Sequence, residues 1–217
     1  MNQIHAAQSG AALFRQLKSA ASLVLMLVVA TALTGCLAGY KANLALKAVA
    51  EPEELGKNAE VAVTAADARS NKIVCKNANS LGLSADVTVS ETLESELRKT
   101  GQNLLAAKGF APQNPNPDIA RAMTVELTSL SCQNRKKAHE TISTAKATIR
   151  VAVDNNGHAS ERVYQGETTW NLKGDNLDPD YDKLLSQTIS KTLARLGADY
   201  DFLNDLAAVK LRSKDLK

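Results

Sequence analysis

Ile142-Ser143-Thr144-Ala145-Lys146-Ala147-Thr148-Ile149-Arg150-Val151-Ala152-Val153 decides the fold. Ala145, Ala147, Ile149, Val151 and Val153 occupy alternate positions, with Lys146, Thr148 and Arg150 between them. A period of two marks a strand with one face buried and one wet. Asp154-Asn155-Asn156-Gly157 follows. Asn-Gly tolerates the positive φ angles of a two-residue hairpin turn, so the chain is expected to double back. The return strand, over residues 161–172, sets Tyr164, Trp170 and Leu172 on one face. Upstream, residues 122–132 place Met123, Val125 and Leu127 in phase. The phase slips before Leu130, which predicts a bulge.

Helices flank this meander. Residues 89–108 carry Val89, Leu93, Leu97, Leu104 and Leu105 on one stripe. Thr88 with Glu91 reads as a capping box, and Gly109 as the residue after the C-cap. A second helix is expected from Asp178-Pro179, an N-cap and N1 pair, with Tyr181, Leu184, Leu185, Ile189, Leu193 and Leu196 inward and Gly197 at its end. A short helix over 200–209 and a basic tail complete the chain. Residues 61–65 alternate as a first strand, leading into Asp67-Ala68-Arg69 and a loop that holds Cys75. Residues 111–117, rich in proline and asparagine, read as a loop. The expected order is β-α-β-β-β-α: an α+β fold with a mainly antiparallel sheet and two amphipathic helices on one face. The other sheet face is expected to be wet or available to a partner.

The amino-terminal stretch has a different grammar. Arg15 and Lys18 precede an uncharged apolar run over 20–30, then Leu33-Thr34-Gly35-Cys36. The run is shorter than the ~20 residues that span a bilayer, so a cleaved leader is the expected reading. The tetrapeptide resembles the bacterial lipobox. That resemblance implies cleavage between Gly35 and Cys36, a diacylglycerol on the Cys36 thiol and an acyl chain on its new amine. It also implies handling by the lipoprotein processing and sorting machinery. Several chains make a stable anchor where one is marginal. Residue 37 is Leu rather than the Asp that marks inner-membrane retention, so the periplasmic face of the outer membrane is the expected location. Residues 1–35 are thus signal peptide, 36–59 a lipidated terminus and tether holding the domain clear of the headgroups, and 60–217 the domain.

The lipobox, the 61–69 strand ending Ala-Asp-Ala-Arg, the helix ending Ala107-Lys108-Gly109-Phe110, and the later hairpin and helix together resemble YajG-type lipoproteins over residues 59–206. The resemblance implies an outer-membrane-associated lipoprotein of uncharacterised function and carries over no active site.

Of the 26 basic residues, Arg15 and Lys18 go with the leader, leaving 24 against 23 acidic ones. Near-neutrality, with aromatics at 4%, argues against nucleic acid as a partner. Cys75 and Cys132 can pair, remain two buried thiols, or join further ligands at a metal; their spacing is not that of a redox motif. His139 and His158 read as exposed loop residues, without a partner four positions on. Asp175, Asp178, Asp180 and Asp182 form the one cluster suited to calcium, but lack the glycine and terminal glutamate of an EF-hand loop. Acids at a helix start have a simpler use, on the positive end of the dipole. Arg135-Lys136-Lys137 reads as a solvated loop, with anionic headgroups or lipopolysaccharide as a weaker match. No nucleophile elbow or phosphate loop occurs. The expectation is a non-enzymatic protein without a cofactor beyond its lipid, binding or assembling an envelope protein or polymer. Two alternatives stand beside it. One is an envelope enzyme acting on peptidoglycan or polysaccharide with Asp67 or Glu167 as its acid, which needs two carboxylates at a set separation. The other is a carrier with an apolar cavity between helices and sheet.

Overall fold

Three long strands run back and forth through the domain: β6 (Arg121–Lys137), β7 (Glu140–Asn155) and β8 (His158–Lys173). The computed structural model describes residues 39–78, 84–137, 139–174 and 178–208. The residues read as signal peptide and lipidation site, Gly35 and Cys36 included, lie outside them. The other elements are β1 (Tyr40–Ala42), β2 (Glu60–Asp67), β3 (Cys75–Ala78), β4 (Ser84–Val89), α1 (Leu93–Ala107), β5 (Ala111–Gln113), α2 (Tyr181–Gly197) and α3 (Tyr200–Ala207). Together they build the α+β architecture expected.

The main sheet has the order β5-β2-β6-β7-β8. β6, β7 and β8 are antiparallel, while β2 is parallel to both β5 and β6, so the sheet is mixed. The bulge expected before Leu130 is present, a register shift between Leu127 and Ser129. Asn156 and Gly157 both have positive φ, 58° and 87°, as a type I′ turn requires. Met123, Val125, Leu127, Ala145, Ile149, Val151 and Val153 face inward and are buried. Both long helices cover that face. Gly101 of α1 lies over Val63, Met123 and Val125, and Gly166 of β8 brings the sheet against Thr192 of α2.

Several expectations give way. Residues 84–89 form a strand, so Thr88 caps nothing and α1 starts four residues later than expected, behind Thr92. The reason is local: Val87-Thr88-Val89 are β-branched and pair with β3 and β1. That second sheet, ordered β1-β4-β3, occupies what read as tether and loop. Residues 111–113 of the supposed loop are an edge strand. The N-cap of α2 is Asp180, whose side chain accepts from the Lys183 N–H at 3.1 Å, and not Asp178. The exit from α1 is as read: Gly109 has φ 79°, and Phe110 and Gly109 donate to Leu105 and Ala106 in a Schellman closure.

The largest departure concerns residues 40–50. They are part of the domain, where a free tether was expected. Ala42, Leu44 and Leu46 are buried and the residues between them exposed. The N–H groups of Asn43, Ala45 and Lys47 donate to the side chains of Asp182, Ser186 and Ser190 at 2.9–3.0 Å. Two extended residues advance about 6.6 Å and four helical residues about 6 Å, so a strap and a helix face stay in step. Alternate N–H groups thus meet every fourth helical side chain.

At the opposite end of the sheet, Asn155 is fully buried and its amide donates to the carbonyls of Asp205, Leu206 and Ala208. Arg121 adds a bond to Leu206. These groups close the carboxyl end of α3, whose last carbonyls have no helical partner. Asn155→Ala is expected to destabilise the domain by about 1–3 kcal/mol, the range for orphaned buried polar groups. Urea unfolding checks this, and an unchanged midpoint contradicts it.

Candidate functional site: the open face of the main sheet

Side chains on the face away from the helices follow from the two-residue period. Thr64 and Thr124 share a hydrogen bond at 2.9 Å, and Thr144 and Thr169 one at 3.1 Å. Arg150 donates to Glu126 at 2.7 Å and its guanidinium lies 3.8 Å from Glu161. Lys146 is 3.2 Å from Glu167 on the neighbouring strand. These are cross-strand pairs of modest strength. Val163, 55% exposed, and the half-buried Ile142 interrupt this largely polar surface. A shallow cavity of about 400 Å³ lies on this face, bordered by Ser129, Ser131, Lys146, Thr148, Gln165 and Glu167. The free edge of β8 borders it, with Lys191 donating to the Glu167 carbonyl. The expected wet face is therefore present, built of hydroxyls and compensated charges.

The two candidate acids do not meet. Asp67 sits at the end of β2 on the inward side, and Glu167 on the open face of β8. Three strand spacings separate them, at least about 14 Å, beyond the ~5–9.5 Å of paired-acid hydrolysis. Asp67 is held by Arg69, whose Nε and Nη2 reach its two oxygens at 2.7 and 2.9 Å, and by Lys72 at 2.8 Å. Burial pushes its carboxyl up, but the bonds from Arg69 and Lys72 together outweigh it and bring it down to about 2. Such a group is a fixed anion, not a proton donor. The pairing of Asp67 with Arg69 was open to a reader of Asp-Ala-Arg, since residues two apart on a strand end share a side.

The other singled-out residues are placed as follows. Cys75 of β3 and Cys132 of β6 are joined by a disulfide, with Cα atoms 5.0 Å apart, linking the small sheet to the large one. His139 and His158 are exposed at opposite ends of β7. Asp178 pairs with Lys136, Asp180 caps α2, and Asp182 accepts from Tyr40 Oη and the Asn43 N–H. Asp175 lies outside the described residues. Among the described residues no three His, Cys, Asp or Glu side chains converge on a metal position. Arg135, Lys136 and Lys137 end β6 instead of forming a loop. A site with no warning in the sequence is Lys108, 1% exposed, which donates to Glu53 at 3.0 Å and lies over the Tyr200 ring at 4.5 Å. Burial pushes its ammonium down, and the bonds to Glu53 and Tyr200 more than offset this.

No described helix is long and apolar enough to cross a membrane. The chain belongs to the Lipoprotein_16 family of uncharacterised lipoproteins, whose model matches residues 47–206, and the YajG-type resemblance holds. No curated protein matches. Among solved structures it is similar to the DUF330 protein XCC0632 from Xanthomonas campestris, at 7% identity and TM-score 0.46 over 77% of this chain and 95% of that one. It is also similar to a putative neuraminyllactose-binding hemagglutinin homologue from Helicobacter pylori, at 11% and 0.32 over 81% and 95%. The hypothetical protein CT253 from Chlamydia trachomatis matches at 13% and 0.32, over 80% and 99%. Identities and scores this low transfer no activity.

Proposed function

We propose that this lipoprotein is anchored through Cys36 to the periplasmic face of the outer membrane, and binds or helps assemble an envelope partner without catalysing a reaction. The observation that carries the reading is the open sheet face, a polar surface along three long strands that neither long helix covers. Support comes from the acids: Asp67 is tied into an ion pair, and Glu167 is the one carboxylate bordering its cavity among the described residues.

Two measurements test it. Cys36→Ser is expected to release the domain from the membrane fraction or leave the precursor uncleaved; full retention with normal processing overturns the anchor. Photo-crosslinkers at Thr148 and Gln165 on the open face are expected to trap one common partner in intact cells, and a crosslinker at Lys99 on α1 is not. Adducts equally frequent from Lys99, or none from the sheet, overturn the binding reading.

A further inference from the structure

The strap leaves little slack between lipid and domain. Only Leu37, Ala38 and Gly39 separate Cys36 from Tyr40. Four residue steps reach at most about 14 Å. Tyr40 is itself fixed: its ring lies 5.6 Å from that of Tyr181, its hydroxyl donates to Asp182 at 2.8 Å, and its backbone pairs with Val87. From Tyr40 the chain runs along α2 in the helix's own direction, from Asp182 to Ser190. Followed backwards, the strap therefore reaches the start of α2 at Tyr40, at one end of the domain.

We infer that the domain stands end-on, with the end at Tyr40, the start of α2 and the β6–β7 turn held against the phospholipid headgroup layer. This rests on lipidation at Cys36. Asn134 of β6 bonds Tyr181 at 2.6 Å, and Glu140 pairs with Lys173, so the final residues of β6 and β8 share this end. The β7–β8 turn lies at the other end of the strands, about 50 Å away for a strand of 16 residues. Tyr40, 41% exposed, is a residue suited to a membrane–water interface. The charges there are largely paired, Lys136 with Asp178, Lys137 with Glu140 and Lys183 with Asp180, so the short leash sets the contact more than electrostatics does. The open sheet face then rises from the membrane where a partner in the periplasm can reach it.

Thiol-directed fluorophores on Lys173→Cys and His158→Cys, the two ends of β8, test this in the mature lipidated chain. Each is reconstituted into phosphatidylcholine vesicles, with and without phosphatidylglycerol, containing a headgroup-attached nitroxide. Flotation is scored first. The lipidated chain is expected to float and the Cys36→Ser chain to stay in solution; a lipidated chain that fails to float overturns the anchoring reading and this inference with it. For chains that float, the Lys173 label is expected to be quenched at least threefold more than the His158 label, in both lipid mixtures and in 0.5 M salt. Equal or reversed quenching overturns the end-on placement and leaves the anchor standing. Quenching that needs phosphatidylglycerol and disappears in salt assigns the contact to charge and overturns the leash as its cause.

Discussion

Replacing both Cys75 and Cys132 with alanine is expected to lower the unfolding free energy by about 4 kcal/mol, given the 57-residue separation they close. A crosslink of that span removes many open conformations from the unfolded chain. For a domain of this size the loss corresponds to roughly 10 °C in melting temperature. The effect has a location as well as a size. β3 reaches the main sheet through this bond, a hydrogen bond from the Cys132 N–H to the Val74 carbonyl, and the packing of Val74. Hydrogen exchange in β3 and β4 is therefore expected to rise before that in β7. Urea unfolding of the oxidised protein and the double variant measures the first effect; a difference under about 1 kcal/mol contradicts it.

Asp67→Ala is expected to destabilise by about 3–5 kcal/mol, because it strands a buried cation. The Arg69 side chain is 3% exposed, and its Nη1 has no hydrogen-bond partner among the described residues. Removing the carboxylate leaves a guanidinium that can neither lose its proton nor reach water. Asp67→Ala combined with Arg69→Met is expected to recover most of the loss, which separates a stranded charge from a damaged strand end. The pH dependence has a fixed sign. The Asp67 carboxyl titrates at about 2 in the fold against 3.8 ordinarily, so its contribution is complete above pH 4 and lost as pH falls through 2. The stability gap between the wild type and Asp67→Asn should narrow over that interval. A constant gap would sink the assignment.

What could be read from the residues was whatever short-range periodicity encodes. The alternation around Ile149, the Asn156-Gly157 turn, the slip before Leu130 and the closure at Gly109 all appear where their local chemistry puts them. The larger misreadings share one cause, pairing with distant chain. Ala42, Leu44 and Leu46 alternate, but Ala/Leu/Lys composition masks a strap whose acceptors lie about 140 residues away. Val87-Thr88-Val89 borders a helical stripe and joined it on paper, since its partners Tyr40 and Cys75 are remote. The open face was legible as one side of an alternating strand. Its ladders, and the buried Lys108, depend on which strand or helix lies next door.

The strap also imposes an order of events. A polypeptide is made from its amino end, so residues 40–50 are made long before Ser186 and Ser190. This segment therefore waits for nearly the whole chain before its N–H groups find acceptors. Until then Ala42, Leu44 and Leu46 have no α2 face to cover them. Completion of α2, rather than of any element near in sequence, is what locks this segment in place.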